Sequence, residues 1–317
     1  MFDDRQASGS GSRSDAPPAV IVTTGLTKRY GPVLAVSNLD LEVRLGEVYG
    51  FLGPNGAGKT TTLRMLAGLV RPTSGSALIA GHSPGSSGSL RKVGCLIESP
   101  AYYPYLSGRD NLRVIAGYAG ADARLVETVL QTVDLIDRAA DRVATYSLGM
   151  KQRLAIAATL VKQPEVLLLD EPTNGLDPQG VAEVRALVKS LQTSNRAVLV
   201  SSHLLHEVEL ICTRVGVINR GKLIMQGTVD DLRGDATTIT VRASPHDAAL
   251  KVLVDMFGAA VVEKDGTFSV TAGNFDAAEI IRRLVVAGVA VTDVHQTQRS
   301  LEEAFLALTG TRDEQPC

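Results

Sequence analysis

Gly53-Pro54-Asn55-Gly56-Ala57-Gly58-Lys59-Thr60 is the most informative segment of this sequence. It matches the pattern G-x-x-x-x-G-K-[ST], in which glycines let backbone N–H groups converge on phosphate oxygens. The apolar run at residues 48–52 precedes it as a predicted buried strand, and residues 60–70 follow with helical spacing. Because strand, glycine-rich turn and helix follow in the required order, the sequence predicts a site for a nucleoside triphosphate.

The side chains at the end of this stretch have distinct expected roles. Lys59 is expected to reach the β- and γ-phosphates, and Thr60 to place its hydroxyl on Mg²⁺. The helix that begins here also directs its first amides at the anion. We therefore assign every residue from Gly53 to Thr60, together with Thr61, to nucleotide binding.

A second predicted strand ends in two adjacent carboxylates. Residues 166–169 form a continuous apolar run, as expected of a parallel strand covered on both faces, and Asp170 and Glu171 follow directly. Ligands of open α/β sheets bind at the carboxyl ends of the strands. One carboxylate is therefore expected to hold Mg²⁺, and the other to polarise the attacking water as a general base.

Composition narrows the class of protein. The chain has 317 residues, 44% of them apolar, and a net charge of −2, which argues against a nucleic-acid binder that relies on bulk positive potential. No apolar run approaches the roughly 18 residues of a membrane span, so the chain is not expected to form a channel itself. Its first residues lack the apolar stretch of a signal peptide, which predicts a cytoplasmic location.

The pattern along the chain predicts an α/β body followed by a smaller α+β unit. Leu39, Leu41, Val43 and Leu45 alternate with polar residues and predict one half-buried strand. Residues 237–309 have the order strand, helix, strand, strand, helix, strand, helix, with a hairpin turn at Lys264-Asp265-Gly266. The predicted divisions are a disordered leader at 1–19, a nucleotide-binding domain at 20–234, an accessory domain at 235–310 and a tail at 311–317.

Four motifs occur in the order found in ATP-binding cassette (ABC) transporter ATPases. They are Gly53–Thr60, Ser147-Leu148-Gly149-Met150-Lys151-Gln152, Asp170-Glu171 and His203. The second resembles a variant of the cassette signature L-S-G-G-Q and is the most specific of the four. The resemblance covers about residues 20–234 and implies a P-loop fold with a RecA-like core, an antiparallel β subdomain and a helical subdomain. It also implies ATP and Mg²⁺ as cofactors.

The resemblance assigns roles to individual residues. Tyr30 matches the aromatic residue that stacks on adenine, and His203 matches the switch histidine. The signature residues, Ser147 and Gly149 above all, would contact the γ-phosphate held by a second cassette in a head-to-tail dimer. Ser147 can also cap the following helix. Asp177 matches the loop that couples the two sites, although an ordinary turn explains it equally well.

Glu98 is where the sequence departs from the family pattern, which has a glutamine here. A glutamate at this place resembles the subgroup that exports bacitracin- and lantibiotic-type peptides. The stretch Ser300-Leu301-Glu302-Glu303-Ala304-Phe305 resembles drug-export cassettes of the daunorubicin type. We expect Glu98 to serve as a ligand of Mg²⁺ or of its water, and as a link to the permease.

The resemblance predicts an ATPase subunit that energises export through separate transmembrane permease subunits at the cytoplasmic face of the membrane, with no nucleic-acid partner. An alternative is a cassette ATPase that acts on ribosomes, but that class usually carries two cassettes in one chain. DNA-repair and chromosome ATPases insert long coiled coils between cradle and signature. The segment between Thr60 and Ser147 is too short for them.

Overall fold

The computed structural model describes residues 17–98, 102–234, 237–258, 261–264, 267–272, 277–298 and 300–309. Most of the predicted leader, the predicted tail and the predicted turn residues Asp265 and Gly266 lie outside these ranges. In the part of the chain that is described, no helix is long and apolar enough to cross a membrane.

The first part of the chain is rich in strands. In chain order it contains β1 (Ala19–Tyr30), β2 (Val33–Leu39), β3 (Glu42–Arg44), β4 (Val48–Leu52), α1 (Lys59–Leu66), β5 (Ser74–Ile79), α2 (Ser87–Lys92) and β6 (Val93–Leu96).

The middle of the chain alternates helices and strands after a helical region. It contains α3 (Gly108–Ala119), α4 (Leu125–Thr132), a 3-10 turn (Val143–Thr145), α5 (Leu148–Leu160), β7 (Val166–Asp170), α6 (Pro178–Ser190), β8 (Ala197–Ser202), α7 (Leu205–Ile211), β9 (Arg214–Asn219), β10 (Lys222–Thr228) and α8 (Val229–Arg233).

The last part has the element order that the sequence predicts. It contains β11 (Thr237–Ser244), α9 (His246–Phe257), β12 (Val261–Lys264), β13 (Thr267–Ala272), α10 (Ala277–Val286), β14 (Ala290–Gln298) and α11 (Leu301–Thr309). The four strands form an antiparallel sheet in the order β12-β13-β11-β14, with α9 and α10 packed on a core of their own. The boundaries of the predicted domains stay predictions.

A six-stranded sheet in the order β10-β9-β4-β8-β7-β6 forms the centre of the molecule. All neighbouring strands from β9 to β6 are parallel, and β10 adds an antiparallel edge. Strand residues alternate between two apolar clusters: Leu167 and Leu169 belong to one, Val166 and Leu168 to the other. Apolar burial on both faces explains the unbroken apolar runs of these strands. The expected P-loop α/β fold is confirmed.

The antiparallel sheet consists of β2, β1 and β3, with β5 paired to β1. The single strand predicted at residues 39–45 is wrong, because the structure divides this segment between β2 and β3. The hydroxyl of Thr23 causes the break: it donates to the carbonyl of Leu39 (2.8 Å) and accepts from the N–H of Leu41 (2.8 Å). Both leucines are nevertheless buried, so the alternation that the sequence shows is real.

Helix α1 is shorter than the predicted helix at residues 60–70, since it ends at Leu66. Gly68 follows with φ +77°, and a Cβ there would lie 2.4 Å from the backbone of Gly85. The close approach of two backbones therefore requires glycine at this position and turns the chain out of the helix.

Helix α11 packs against α7 and α8 rather than on the four-stranded sheet of the last part. Leu301 is 1% exposed and joins the apolar cluster that includes Val208 of α7 and Leu232 of α8, and Phe305 packs against the same cluster. A truncation after residue 234 therefore also removes side chains that cover the nucleotide-binding part of the chain.

We expect Leu301→Ala to lower the free energy of unfolding by about 2–5 kcal/mol, because it opens a cavity in a packed core. Leu308→Ala on the same helix is the control, since Leu308 is 40% exposed. Urea unfolding of the full chain measures both. Equal losses for the two variants would show that Leu301 contributes no more packing than the exposed Leu308.

Candidate functional site

The loop between β4 and α1 is shaped by glycines at positions where a side chain does not fit. A Cβ on Gly53 would lie 2.4 Å from the carbonyl oxygen of Ile218, and one on Gly58 would lie 2.5 Å from that of Ala35. Gly58 also has φ +111° and is the N-cap of α1. The loop therefore brings the first amides of α1 to the mouth of a cleft, where they can bind an anion.

A cleft of about 350 Å³ opens over this loop at the carboxyl edge of the six-stranded sheet. It is lined by Ala35, Pro54, Asn55, Gly56, Ala57, Gly58, Lys59, Thr60, Thr61, Glu171, Asn174 and His203. The structure thus brings the predicted phosphate-binding residues 54–61 together with the predicted base and the predicted switch histidine. Gly53 and Asp170 are not among the residues that line the cleft.

Three charged or titratable side chains meet in the cleft. The Lys59 side chain is 6% exposed. Its ammonium donates to the carbonyl of Gly53 (2.7 Å) and lies 3.2 Å from Glu171 Oε1. The other carboxylate oxygen of Glu171 lies 2.7 Å from His203 Nδ1. Glu171 therefore joins the cation of the loop to the histidine that follows β8.

The backbone of Glu171 is held in an unusual conformation. Its φ is +46°, in the left-handed region that a residue with a Cβ adopts at a cost. Its N–H donates to the hydroxyl (3.0 Å) and to the carbonyl (3.2 Å) of Ser201 in β8. Left-handed residues held by their surroundings concentrate at functional sites, and here the conformation turns the carboxylate into the cleft.

Asp170 is the last residue of β7 and pairs in register with Ser201. The Ser201 hydroxyl, which accepts from the N–H of Glu171, also donates to Asp170 Oδ1 and so orients the Asp170 carboxylate. Carboxylate and hydroxyl oxygens are the hard ligands that Mg²⁺ prefers, and Asp170 and Thr60 supply one of each. Among the described residues no group of three or more His, Cys, Asp or Glu side chains could enclose a metal ion. A pair of donors such as Asp170 and Thr60 fits Mg²⁺ that takes its other oxygen ligands from substrate phosphates and water.

Tyr30 and Glu98 are not among the residues that line this cleft. Tyr30 is 44% exposed, and the Lys28 ammonium lies 4.9 Å from the centre of its ring. The Glu98 carboxylate pairs with Arg64 of α1 and is 65% exposed. Glu98 also has a positive φ, +68°. The roles predicted for both residues stay predictions.

The signature residues lie at a second cleft, of about 500 Å³. Its lining includes Ser147, Leu148, Gly149 and Met150 together with Asp177, but Lys151 and Gln152 are not part of it. Two helices begin here with side-chain caps. Ser147 Oγ accepts from Met150 N (3.2 Å) at the start of α5, and Asp177 Oδ1 accepts from Gly180 N (2.9 Å) at the start of α6.

Sequence reasoning missed three residues of the first cleft and its support. Asn174 follows Glu171 by three residues, Ala35 lies in β2, and Ser201 ties Asp170 to Glu171. Asn174 could have been predicted, because it lies in the same loop as Glu171. Neither Ala35 nor Ser201 carries a local signal, because each reaches the site through pairing of distant strands.

The sequence model of a family described as ABC transporter matches residues 36–174. The ABC transporter ATP-binding protein YhcH of Bacillus subtilis (strain 168) is 38% identical over 301 residues, which cover 93% of this chain and 98% of the relative.

A second relative is the bacitracin transport ATP-binding protein BcrA of Bacillus licheniformis, 38% identical over 298 residues, with 92% of this chain and 97% of the relative covered. Among solved structures, an ATP-binding subunit of an ABC transporter superposes with a TM-score of 0.60 at 27% identity. The superposition covers 68% of this chain and 92% of the chain of the solved structure. Together with the geometry of the phosphate-binding cleft, these similarities show that the chain belongs to the ATP-binding cassette family of ABC transporter ATPases.

Proposed function

We propose that this chain uses ATP hydrolysis to drive export of a drug or an antibiotic peptide through separate membrane permease subunits. The observation that carries the proposal is the meeting of Lys59, Glu171 and His203 in one cleft above the glycine loop. Bacitracin transport and daunorubicin resistance proteins, each 38% identical to this chain over at least 92% of it, support the class of cargo.

Glu171 is proposed to act as the general base. A base must lie within hydrogen-bond reach of the water that it activates, and the carboxylate is held at the cleft by its backbone bonds to Ser201. His203, in contact with the same carboxylate, would orient it. Lys59 bonds to the loop carbonyl and to Glu171. When phosphates enter, they compete for this ammonium and free the carboxylate for its role as base.

Thr60 and Asp170 are proposed to hold Mg²⁺, with the nucleotide supplying further oxygen ligands. When bound, the ion would neutralise charge on the phosphates. The bond from Ser201 keeps one oxygen of Asp170 fixed, as is usual for carboxylates that bind a metal.

A second cassette is proposed to complete the site. The phosphate cleft and the signature cleft share none of their lining residues, so the signature lines a separate cleft of the chain. A head-to-tail pair of cassettes would bring the capped start of α5, with Ser147 and Gly149, to the nucleotide of the partner cassette. Tyr30 is proposed to stack on the adenine at the exposed end of β1.

The permease subunits are proposed to hold the chain at the cytoplasmic face of the membrane. The segment from Glu98 to Leu112 is the proposed contact, with Asp177 coupling the two nucleotide sites. The exposed tyrosines Tyr103 and Tyr105 lie in this segment and offer apolar area to a partner.

Co-purification of the tagged chain with a membrane protein tests the proposal; its recovery on ribosomes instead would contradict it.

Lys59→Ala is expected to abolish most ATP turnover, because the phosphates lose the buried ammonium of the loop. Steady-state release of phosphate by the purified full chain measures this. Lys92→Ala is the control, since Lys92 lies outside the cleft and pairs with Glu165. Turnover of the Lys59 variant within about threefold of wild type would contradict the assigned site.

Glu171→Gln is expected to bind ATP and to hydrolyse almost none, because the amide keeps the shape of the side chain and removes the base. Undissociated dimers should then accumulate in the presence of ATP. Size-exclusion chromatography with and without ATP detects them. Normal hydrolysis by this variant would place the base elsewhere.

Glu98→Gln is expected to keep ATPase activity within roughly tenfold of wild type, since an amide oxygen still accepts a hydrogen bond. Glu98→Ala should impair drug or peptide resistance of cells more than it impairs ATP binding. Arg64→Gln is the matched control, because it removes only the ion-pair partner of Glu98. Loss of hydrolysis in Glu98→Gln as complete as that in Glu171→Gln would show that the Glu98 carboxylate is essential to the reaction.

A further inference from the structure

A buried hydrogen bond links the loop that carries Glu171 to the helix that follows His203. The Thr173 hydroxyl donates to Glu207 Oε2 at 2.6 Å, and the two residues are 7% and 8% exposed. Thr173 lies two residues after Glu171, and Glu207 lies four residues after His203. The pair therefore joins the same two segments that meet in the Glu171–His203 contact.

Thr173 is placed so that its neighbours face the nucleotide while its own side chain does not. Glu171 and Asn174 line the phosphate cleft, and Thr173 is absent from that lining. The N–H of Asn174 donates to the carbonyl of Glu171 (3.1 Å), which closes a tight turn around Thr173. Fixing the Thr173 side chain therefore fixes the turn that presents Glu171.

Glu207 lies in the first turn of α7 and is buried beside a core residue. A carboxylate in the first turn of a helix is stabilised by the helix dipole, but this holds for an exposed carboxylate too and does not explain the burial of Glu207. Burial of a carboxylate costs free energy unless the carboxylate is hydrogen-bonded. Val208, the next residue, is 1% exposed and anchors α7 in the main apolar cluster. Glu207 thus extends from a rigidly packed helix to the catalytic loop.

We infer that Glu207 is a positioning residue for ATP hydrolysis: through Thr173 it holds the Glu171 loop at a fixed distance and direction from His203. A charge-assisted hydrogen bond specifies direction more strictly than apolar packing does. This inference rests on the proposed role of Glu171 as base.

Three variants of the full chain test it: Thr173→Val, Glu207→Leu and the double variant. Each single change strands a buried polar partner, so both should lower the melting temperature and reduce kcat about tenfold. The KM for ATP should stay within about twofold, because neither side chain lines the phosphate cleft. The double variant removes both polar groups, so its melting temperature should recover while kcat stays low.

Two further variants separate positioning from stability. Glu207→Gln keeps an oxygen that accepts from Thr173, so its kcat should lie within about threefold of wild type. Glu209→Leu is the matched control on α7: it breaks the ion pair with Arg233 and should lower the melting temperature with kcat unchanged.

Several results would overturn the inference. They are unchanged kcat in both single variants, recovery of kcat together with stability in the double variant, a tenfold loss in Glu207→Gln, or an equal loss of kcat in Glu209→Leu. The wild-type chain and Lys59→Ala are measured in the same assay. If wild type hydrolysed no ATP, or Lys59→Ala hydrolysed it normally, the proposed function would fail rather than the positioning role of Glu207.

Discussion

Parallel pairing of β4, β8 and β7 brings the groups of the phosphate cleft to one edge of the central sheet. Parallel strands present their carboxyl ends at one edge of the sheet. The glycine loop after β4, the carboxylates at the end of β7 and the histidine after β8 therefore meet there, although they lie far apart in the sequence. The register of β7 with β8 sets Asp170 beside Ser201, and that serine bonds to both acidic residues. A shift of register by one residue would turn every side chain of the strand to the opposite face and dismantle the site.

The site combines a fixed backbone at Glu171 with an ion pair between Lys59 and Glu171. Lys59 and Glu171 lie 3.2 Å apart, and both are largely withdrawn from solvent, where opposite charges stabilise each other more than in water. The left-handed backbone of Glu171 costs free energy, which its bonds to β8 offset. A triphosphate that enters this arrangement finds amides and an ammonium already oriented, so that little reorganisation remains at the moment of reaction.

The last part of the chain is joined to the nucleotide-binding part by α11 as well as by the peptide link. Its four-stranded sheet has a separate apolar core, yet Leu301 is buried among side chains of α7 and α8. Helix α7 also carries Glu207, whose carboxylate bonds to the loop of Glu171. Helix α11, α7 and the loop of Glu171 thus form a continuous series of elements: α11 packs against α7, and α7 is hydrogen-bonded to the loop.

Local sequence was enough to predict the phosphate loop, the paired carboxylates, the capped start of α5 and the α/β class. Each of these depends on neighbours in the chain, through glycine conformation, apolar runs and local capping. Tertiary structure alone decided the end of β2, where Thr23 from a distant strand takes the backbone bonds, and the end of α1, where Gly85 approaches Gly68. It also decided the support of the site, because Ser201 and Glu207 reach Asp170 and Thr173 only after β7, β8 and α7 have packed together. A local pattern reports the conformational preference of a segment, whereas a hydrogen bond between segments some thirty residues apart depends on strand order and register, which the order of residues does not display.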